Sequence, residues 1–331
     1  MSTDSDSPVG KLLDRLLGEN QEESAIKQQH AELKRTRLVR RLSQSALLAG
    51  IGILFIGSLT AVGFWSTEWI KYWPQFVDAL AEYFPPKLYF GLIPFVDLAQ
   101  YYQFMKNAGL VGEAGITLAI ALAGTIMGAP LALLFGILGN ERVTPFPLNF
   151  VFRGVMSVIR SIPSLVWALI YVPLGGITPV TATLAIGTDT IGELGRLLTD
   201  ELEEIDDGPI EGIRSTGGNK PQVITFGMVS QIVRPFIAWA MFILENNVRS
   251  AVSLGIIGAG GLGVTLTVEE QTFQLTNMMA TILFIVLLVI SVEMISQRTR
   301  SYLRDDDDVE QMSLYQRIVG FPKRMSDSVL K

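Results

Sequence analysis

The chain has 331 residues, 49% of them hydrophobic and 18% charged, with a net charge of −6. The charges crowd both ends and one internal stretch, leaving long uncharged blocks, the segregation that a bilayer imposes. No cysteine is present and the one histidine, His30, sits in a polar tail, so disulfides, thiol nucleophiles, histidine-built metal sites and Ser-His-Asp triads are excluded.

Residues 1–44 read as a cytoplasmic N-terminal tail without a cleavable leader, ending in the basic cluster Lys34, Arg35, Arg37, Arg40 and Arg41. Residues 45–65 carry no charge and reach roughly 30 Å as a helix, enough for a first span with its N-terminus inside. Residues 66–113 form an external connection. Trp69, Tyr72, Trp73, Phe76, Leu80 and Tyr83 fall at three- and four-residue steps, which predicts either an interfacial helix or a helix packed on the spans, closed by Pro85-Pro86. Residues 114–140 supply a second span. Residues 152–172 and 177–198 predict two shorter ones, with a tight turn over Pro173–Pro179. Residues 199–221 interrupt the apolar pattern. Further spans are expected over 223–245 and 273–296, and Arg298, Arg300 and Arg304 open a cytoplasmic tail over 297–331. The fold class is an all-α membrane protein with about six transmembrane helices, its core at 114–296 and both termini inside.

The internal polar segment is sharply punctuated. Asp207 or Gly208 caps a short helix whose first turn holds Pro209 and Glu211, and Gly217 with Gly218 supplies its left-handed end. Asn219 caps the next helix, with Pro221 in its first turn. A stiff peg of about two turns between two spans suits docking into a cleft of another protein; a structured loop without a partner is the alternative.

Two further signals lie beyond it. Gly258-Ala259-Gly260-Gly261-Leu262-Gly263 matches G-x-G-x-x-G, but in an apolar setting without a βαβ context, so the glycines predict close helix packing or a backbone break along a pathway, not a dinucleotide site. Glu245 and Arg249 lie four apart and share a helical face. They form either an ion pair that orients the helix or, with Asn246, part of a path for an anion. No G-x-x-x-x-G-K-[ST] occurs, so ATP hydrolysis by that route is not expected of this chain.

Glu211-Gly212-Ile213-Arg214-Ser215-Thr216-Gly217 resembles the Glu-Ala-Ala-x-x-x-Gly signature of bacterial ATP-binding-cassette importer permeases, matching at Glu211 and Gly217 and departing at Gly212 and Ile213. Ser230 stands where that family often carries a proline. Four blocks resemble the phosphonate-importer permease branch: residues 160–170 (RSIPSLVWALI), 203–209 (EEIDDGP), 245–249 (ENNVR) and 258–263 (GAGGLG). The resemblance implies a six-span permease working as a homodimer and moving a phosphonate or related oxyanion by alternating access. Its coupling loop, with Gly208, Pro209, Glu211, Arg214, Ser215, Thr216 and Gly217, would engage two ATPase subunits that hold ATP and Mg. An external binding protein would deliver the substrate, and the path would include Glu245, Asn246, Arg249, Gly258, Gly260, Gly261 and Gly263. No cofactor, metal or nucleic acid is expected on this chain. The competing readings are a permease for an amino acid such as methionine, a lipid-modifying membrane enzyme drawing on the acids between Asp200 and Glu211, and a scaffold.

Overall fold

The computed structural model describes residues 37, 39–65, 68–89 and 93–303. Of the tails expected over 1–44 and 297–331, residues 1–36, 38 and 304–331 lie outside the described residues, while 39–44 and 297–303 continue the adjoining helices. The chain separates into two units, one up to Val77 and one from Asp78 onward.

The first unit holds α1 (Val39–Ala61), the short α2 (Glu68–Lys71) and the start of α3 (Trp73–Tyr83). Residues 39–44, ahead of the uncharged run, already belong to α1, because Arg40, Arg41 and Leu42 are good helix formers and nothing there breaks the helix. No residue of α3 is buried.

The second unit opens with a hairpin that the all-helical expectation did not contain. Strands β1 (Pro86–Tyr89) and β2 (Ile93–Val96) pair antiparallel, Pro86 opposite Val96. Pro85 and Pro86 end the helical stretch and hold the backbone extended. Lys87 Nζ meets Asp97 at 3.0 Å, and the same carboxylate accepts from the Ala99 and Gln100 amides to cap α4 (Leu98–Asn107).

The centre of this unit is the pair α5 (Leu110–Gly139) and α8 (Pro179–Glu204). Small residues recur every fourth position along α5, at Gly124, Gly128, Ala132 and Gly136, so the two backbones approach closely. A Cβ placed on Gly128 would lie 2.5 Å from the Gly187 carbonyl oxygen and 2.6 Å from Thr190 Cβ. The expected span over 152–172 is instead two helices, α6 (Leu148–Ser161) and α7 (Ser164–Ile170), bent by 93°. Pro163 is the cause: it forces Ile162 to extended backbone, φ −103° and ψ 116°. Trp167 Nε1, from beyond the bend, donates to the Ile159 carbonyl at 3.2 Å. Gly175 and Gly176, both at positive φ, turn the chain into α8.

Helix α9 (Asp207–Ser215) separates α8 from a long rod made of α10 (Lys220–Gln222), a π-helical stretch (Val223–Val229) and α11 (Ser230–Ile256). The span expected to end at 245 therefore continues to Ile256, since neither glycine nor proline occurs over residues 246–254. Asn247 Nδ2 donates to Thr125 Oγ1 at 2.8 Å and Thr190 Oγ1 at 2.9 Å, tying α11 to α5 and α8 inside the bundle. A short α12 (Leu262–Gln271), absent from the expected spans, precedes α13 (Leu275–Leu303).

Among the described residues four helices are long and apolar enough to cross a membrane, five if α6 and α7 form one crossing. At 26 residues α8 is about 39 Å long, but Asp189 lies near its middle and Glu193 and Arg196 in its second half.

Candidate coupling helix and polar path

Helix α9 is a capped peg. Asp206 occupies the N-cap position and Asp207 the first turn, so Glu211 lies in the second turn and not in the first, as expected from sequence. At the other end Gly218 N donates to the Ile213 carbonyl and Gly217 N to that of Arg214, with Gly217 at φ +83°. This Schellman arrangement satisfies the last carbonyls and stops the helix. Asn219 and Gln222 then form a reciprocal capping box for α10.

The peg is fastened on one side only. Ile210 is buried against the end of α8 and the π-helical stretch, whereas Gly208, Pro209, Glu211, Arg214, Ser215, Thr216 and Gly217 are exposed. Burial of one isoleucine contributes roughly 1.5–3 kcal/mol. Gln231 clamps the N-terminal end: its Oε1 accepts from Asp206 N and its Nε2 donates to Asp206 O, both at 3.1 Å. Arg142, from the loop after α5, reaches Asp207 at 2.9 Å, and Arg153 pairs with Glu203. A pocket of about 460 Å³ opens beside the C-terminal cap, lined by Ile213, Thr216, Gly218, Gln222 and Phe226.

The second region lies on α11. Glu245 and Arg249 do pair, Nη2 to Oε1 at 2.6 Å, and Asn246 Oδ1 accepts from Arg249 Nη1 at 3.1 Å. The Glu245 side chain is only 8% exposed and that of Arg249 is 48% exposed. Arg249 shares its face with Asn246, Ser250 and Ser253, a half-exposed polar stripe at three- and four-residue spacing. The glycine run is mostly packing. Gly258, Gly260 and Gly261 take positive φ and fold the chain back, which L side chains resist. A Cβ on Gly263 would lie 2.1 Å from the Val252 carbonyl oxygen, and one on Gly261 would lie 2.3 Å from Thr117 Oγ1. Gly261 and Gly263 are thus buried, while Gly258 is exposed.

The model of the family described as binding-protein-dependent transport system inner membrane component matches residues 128–303, more than half of the chain, including α9 and α11. This chain belongs to that family. The inner membrane component is 33% identical over 236 residues to HtxC of Stutzerimonas stutzeri, whose name assigns it to a phosphite transport system; the match covers 70% of this chain and 77% of HtxC. It is also 33% identical over 195 residues to the phosphate-import permease protein PhnE of Mycolicibacterium smegmatis, covering 59% of this chain and 37% of that protein. In fold it is similar to a solved inward-facing MetNI methionine ABC transporter chain, with TM-score 0.53 and 21% identity, covering 59% of this chain and 95% of that one.

In this inner membrane component the sequence motifs resolve into two separate places, the α9 peg and the α11 stripe. Two contributors escaped the motifs. Arg300 on α13 comes within 3.6 Å of Glu245 Oε2, and Gln231 is the clamp on the peg. Neither sits in a patterned stretch; helical spacing alone extends the stripe from Arg249 to Ser253.

Proposed function

We propose that this chain is the transmembrane permease of an ATP-binding-cassette importer for a phosphonate or a related phosphorus oxyanion. The observation that carries the reading is the α11 stripe: the half-exposed Arg249 guanidinium stands beside Asn246 and Ser250, with the carboxylate of Glu245 buried behind it, while the Ser253 hydroxyl donates to the Arg249 carbonyl. Charged and polar groups on a membrane helix mark a pathway or a bundle interior. A donor-rich stripe with its acid withdrawn suits an oxyanion. The relatives named for phosphite and phosphate transport support the same class of substrate.

In this reading Asn246 and Arg249 line the path, Glu245 tempers the arginine, and Gly258 and Gly260 form its bend. Two copies of the chain flank the path. The exposed face of α9 docks on a separate ATPase that holds ATP and Mg, with Gly208, Pro209, Glu211, Arg214, Ser215, Thr216 and Gly217 as its contacts. Both termini and residues 199–221 face the cytoplasm, residues 66–113 face outward, and a binding protein delivers substrate there. The chain performs no bond chemistry; it supplies two states with different access, between which the ATPase shifts the population.

The test is uptake by proteoliposomes holding the permease, its ATPase and its binding protein, with methylphosphonate, phosphite, phosphate and methionine as solutes. Uptake of the phosphorus oxyanions, abolished by Glu211→Arg while the permease still inserts, is expected. Methionine uptake without oxyanion uptake would replace this substrate class by the amino-acid alternative.

A further inference from the structure

We infer that Arg300, arriving from α13, sets the charge of the Glu245 site so that it prefers a doubly charged phosphorus oxyanion to a singly charged one. This rests on the reading of the α11 stripe as the substrate path.

Glu245 serves two cations. Its Oε1 meets Arg249 Nη2 at 2.6 Å, and its Oε2 lies 3.6 Å from Arg300 Nη2. A guanidinium does not lose its proton in a protein. Two guanidiniums and one carboxylate therefore leave this trio with one net positive charge. The carboxylate, 8% exposed, is too enclosed for water to screen it well. The face of the Phe242 ring lies 5.8 Å from the Arg300 guanidinium, which eases the desolvation of that cation without neutralising it.

The excess positive charge sits on guanidiniums that are 48% and 31% exposed, and an anion bound on the exposed side of Arg249 neutralises it. Arg249 has donors to spare: of its five N–H groups one is given to Asn246 and one to Glu245. The Coulomb attraction of a ligand scales with the product of the charges. If Arg249 and Glu245 stood alone they would form a neutral pair, nearly indifferent to a second charge on the ligand. With Arg300 sharing the carboxylate, each added ligand charge is rewarded. Arg300 is thus a positioning and charge-setting residue that need not touch the substrate.

The experiment is ligand-induced thermal stabilisation of the permease–ATPase complex in phosphatidylcholine nanodiscs, which yields dissociation constants without a binding protein. The two probes are methylphosphonate at pH 8.5, chosen as dianion, and its monomethyl ester, which has one acidic proton and is a monoanion at that pH. The expected wild-type preference for the dianion is on the order of tenfold. In Arg300→Gln the two constants should converge to within about twofold, and Arg300→Lys, which keeps the charge, should restore most of the preference. Because both probes are read on one preparation, a partly unfolded variant does not distort their ratio. A preference that survives in Arg300→Gln, or none in the wild type, overturns the inference and leaves the path intact. Binding of both probes that persists unchanged in Arg249→Ala overturns the path reading itself. Loss of methylphosphonate binding when phosphatidylglycerol replaces phosphatidylcholine assigns the site to a lipid headgroup and also overturns the inference.

Discussion

Replacing Gly128 by alanine adds one methyl group at the point where α5 and α8 run closest. The new Cβ would stand 2.5 Å from the Gly187 carbonyl oxygen and 2.6 Å from Thr190 Cβ. Ordinary contact begins near 3.4 Å, so the helices must part by about 0.9 Å (3.4 − 2.5) or bend. A gap of that size forfeits a quarter to a half of the dispersion energy along the contact, and overpacking of this kind costs about 1–3 kcal/mol. Thr190 cannot retreat freely, because its Oγ1 accepts the Asn247 amide that ties α11 into the bundle. Alanine recovers up to about 1 kcal/mol of helix propensity, which does not offset this. Gly115, on the same helix, provides the control: a Cβ there meets nothing within 4 Å, so Gly115→Ala should gain that propensity and lose nothing. Thermal unfolding of the two variants in one detergent, followed by the loss of the monodisperse peak on size exclusion, should separate them by the overpacking cost, about 1–3 kcal/mol, since the propensity gain is common to both. Equal stability of Gly128→Ala and Gly115→Ala would refute the close-packed α5–α8 seam.

Three further outcomes follow from other parts of the molecule. Gln231→Leu removes both bonds to Asp206 and the Gly227 bond, so the peg loses its tether to α11; solute moved per ATP hydrolysed should fall several-fold with the assembled complex still isolable. Gly217→Val forces a β-branched residue into φ +83°, at roughly 1–2 kcal/mol, and should be read as faster proteolysis near residue 217. The Lys87 hydrogen bond holds the Asp97 carboxyl below its ordinary range. Its contribution to the hairpin is therefore present above the unfolded value, near pH 4, and lost as pH falls through the lower folded value. Hydrogen exchange of the Ala99 and Gln100 amides should hold steady from pH 7 to about pH 5, once corrected for intrinsic rates, and quicken only below about pH 4.

Much of this fold is legible because a bilayer writes in long words. The uncharged run that became α5 and the punctuation Gly217-Gly218-Asn219-Pro221 were read close to where the helices stop and start. Pro163 announced an interruption, but its 93° bend depends on how α7 packs on α8, which local sequence does not encode. The span expected over 223–245 runs on to Ile256, and the charges of Glu245 and Arg249 are tolerated on it since one is buried against cations and the other faces the stripe. Arg300 was invisible to any local pattern. Its meeting with Glu245 joins residues 55 positions apart, across the glycine turn and α12, which was absent from the expected spans.

The elbow between α6 and α7 has a consequence for tightness. A kinked helix in hydrocarbon exposes carbonyls at its corner, and each bare carbonyl is a foothold for water. An importer must hold back protons and ions while it passes one solute, so footholds near its core amount to leaks. Here the Trp167 indole reaches back across the corner and takes the Ile159 carbonyl for itself. The far arm of the bend thus stoppers the near one.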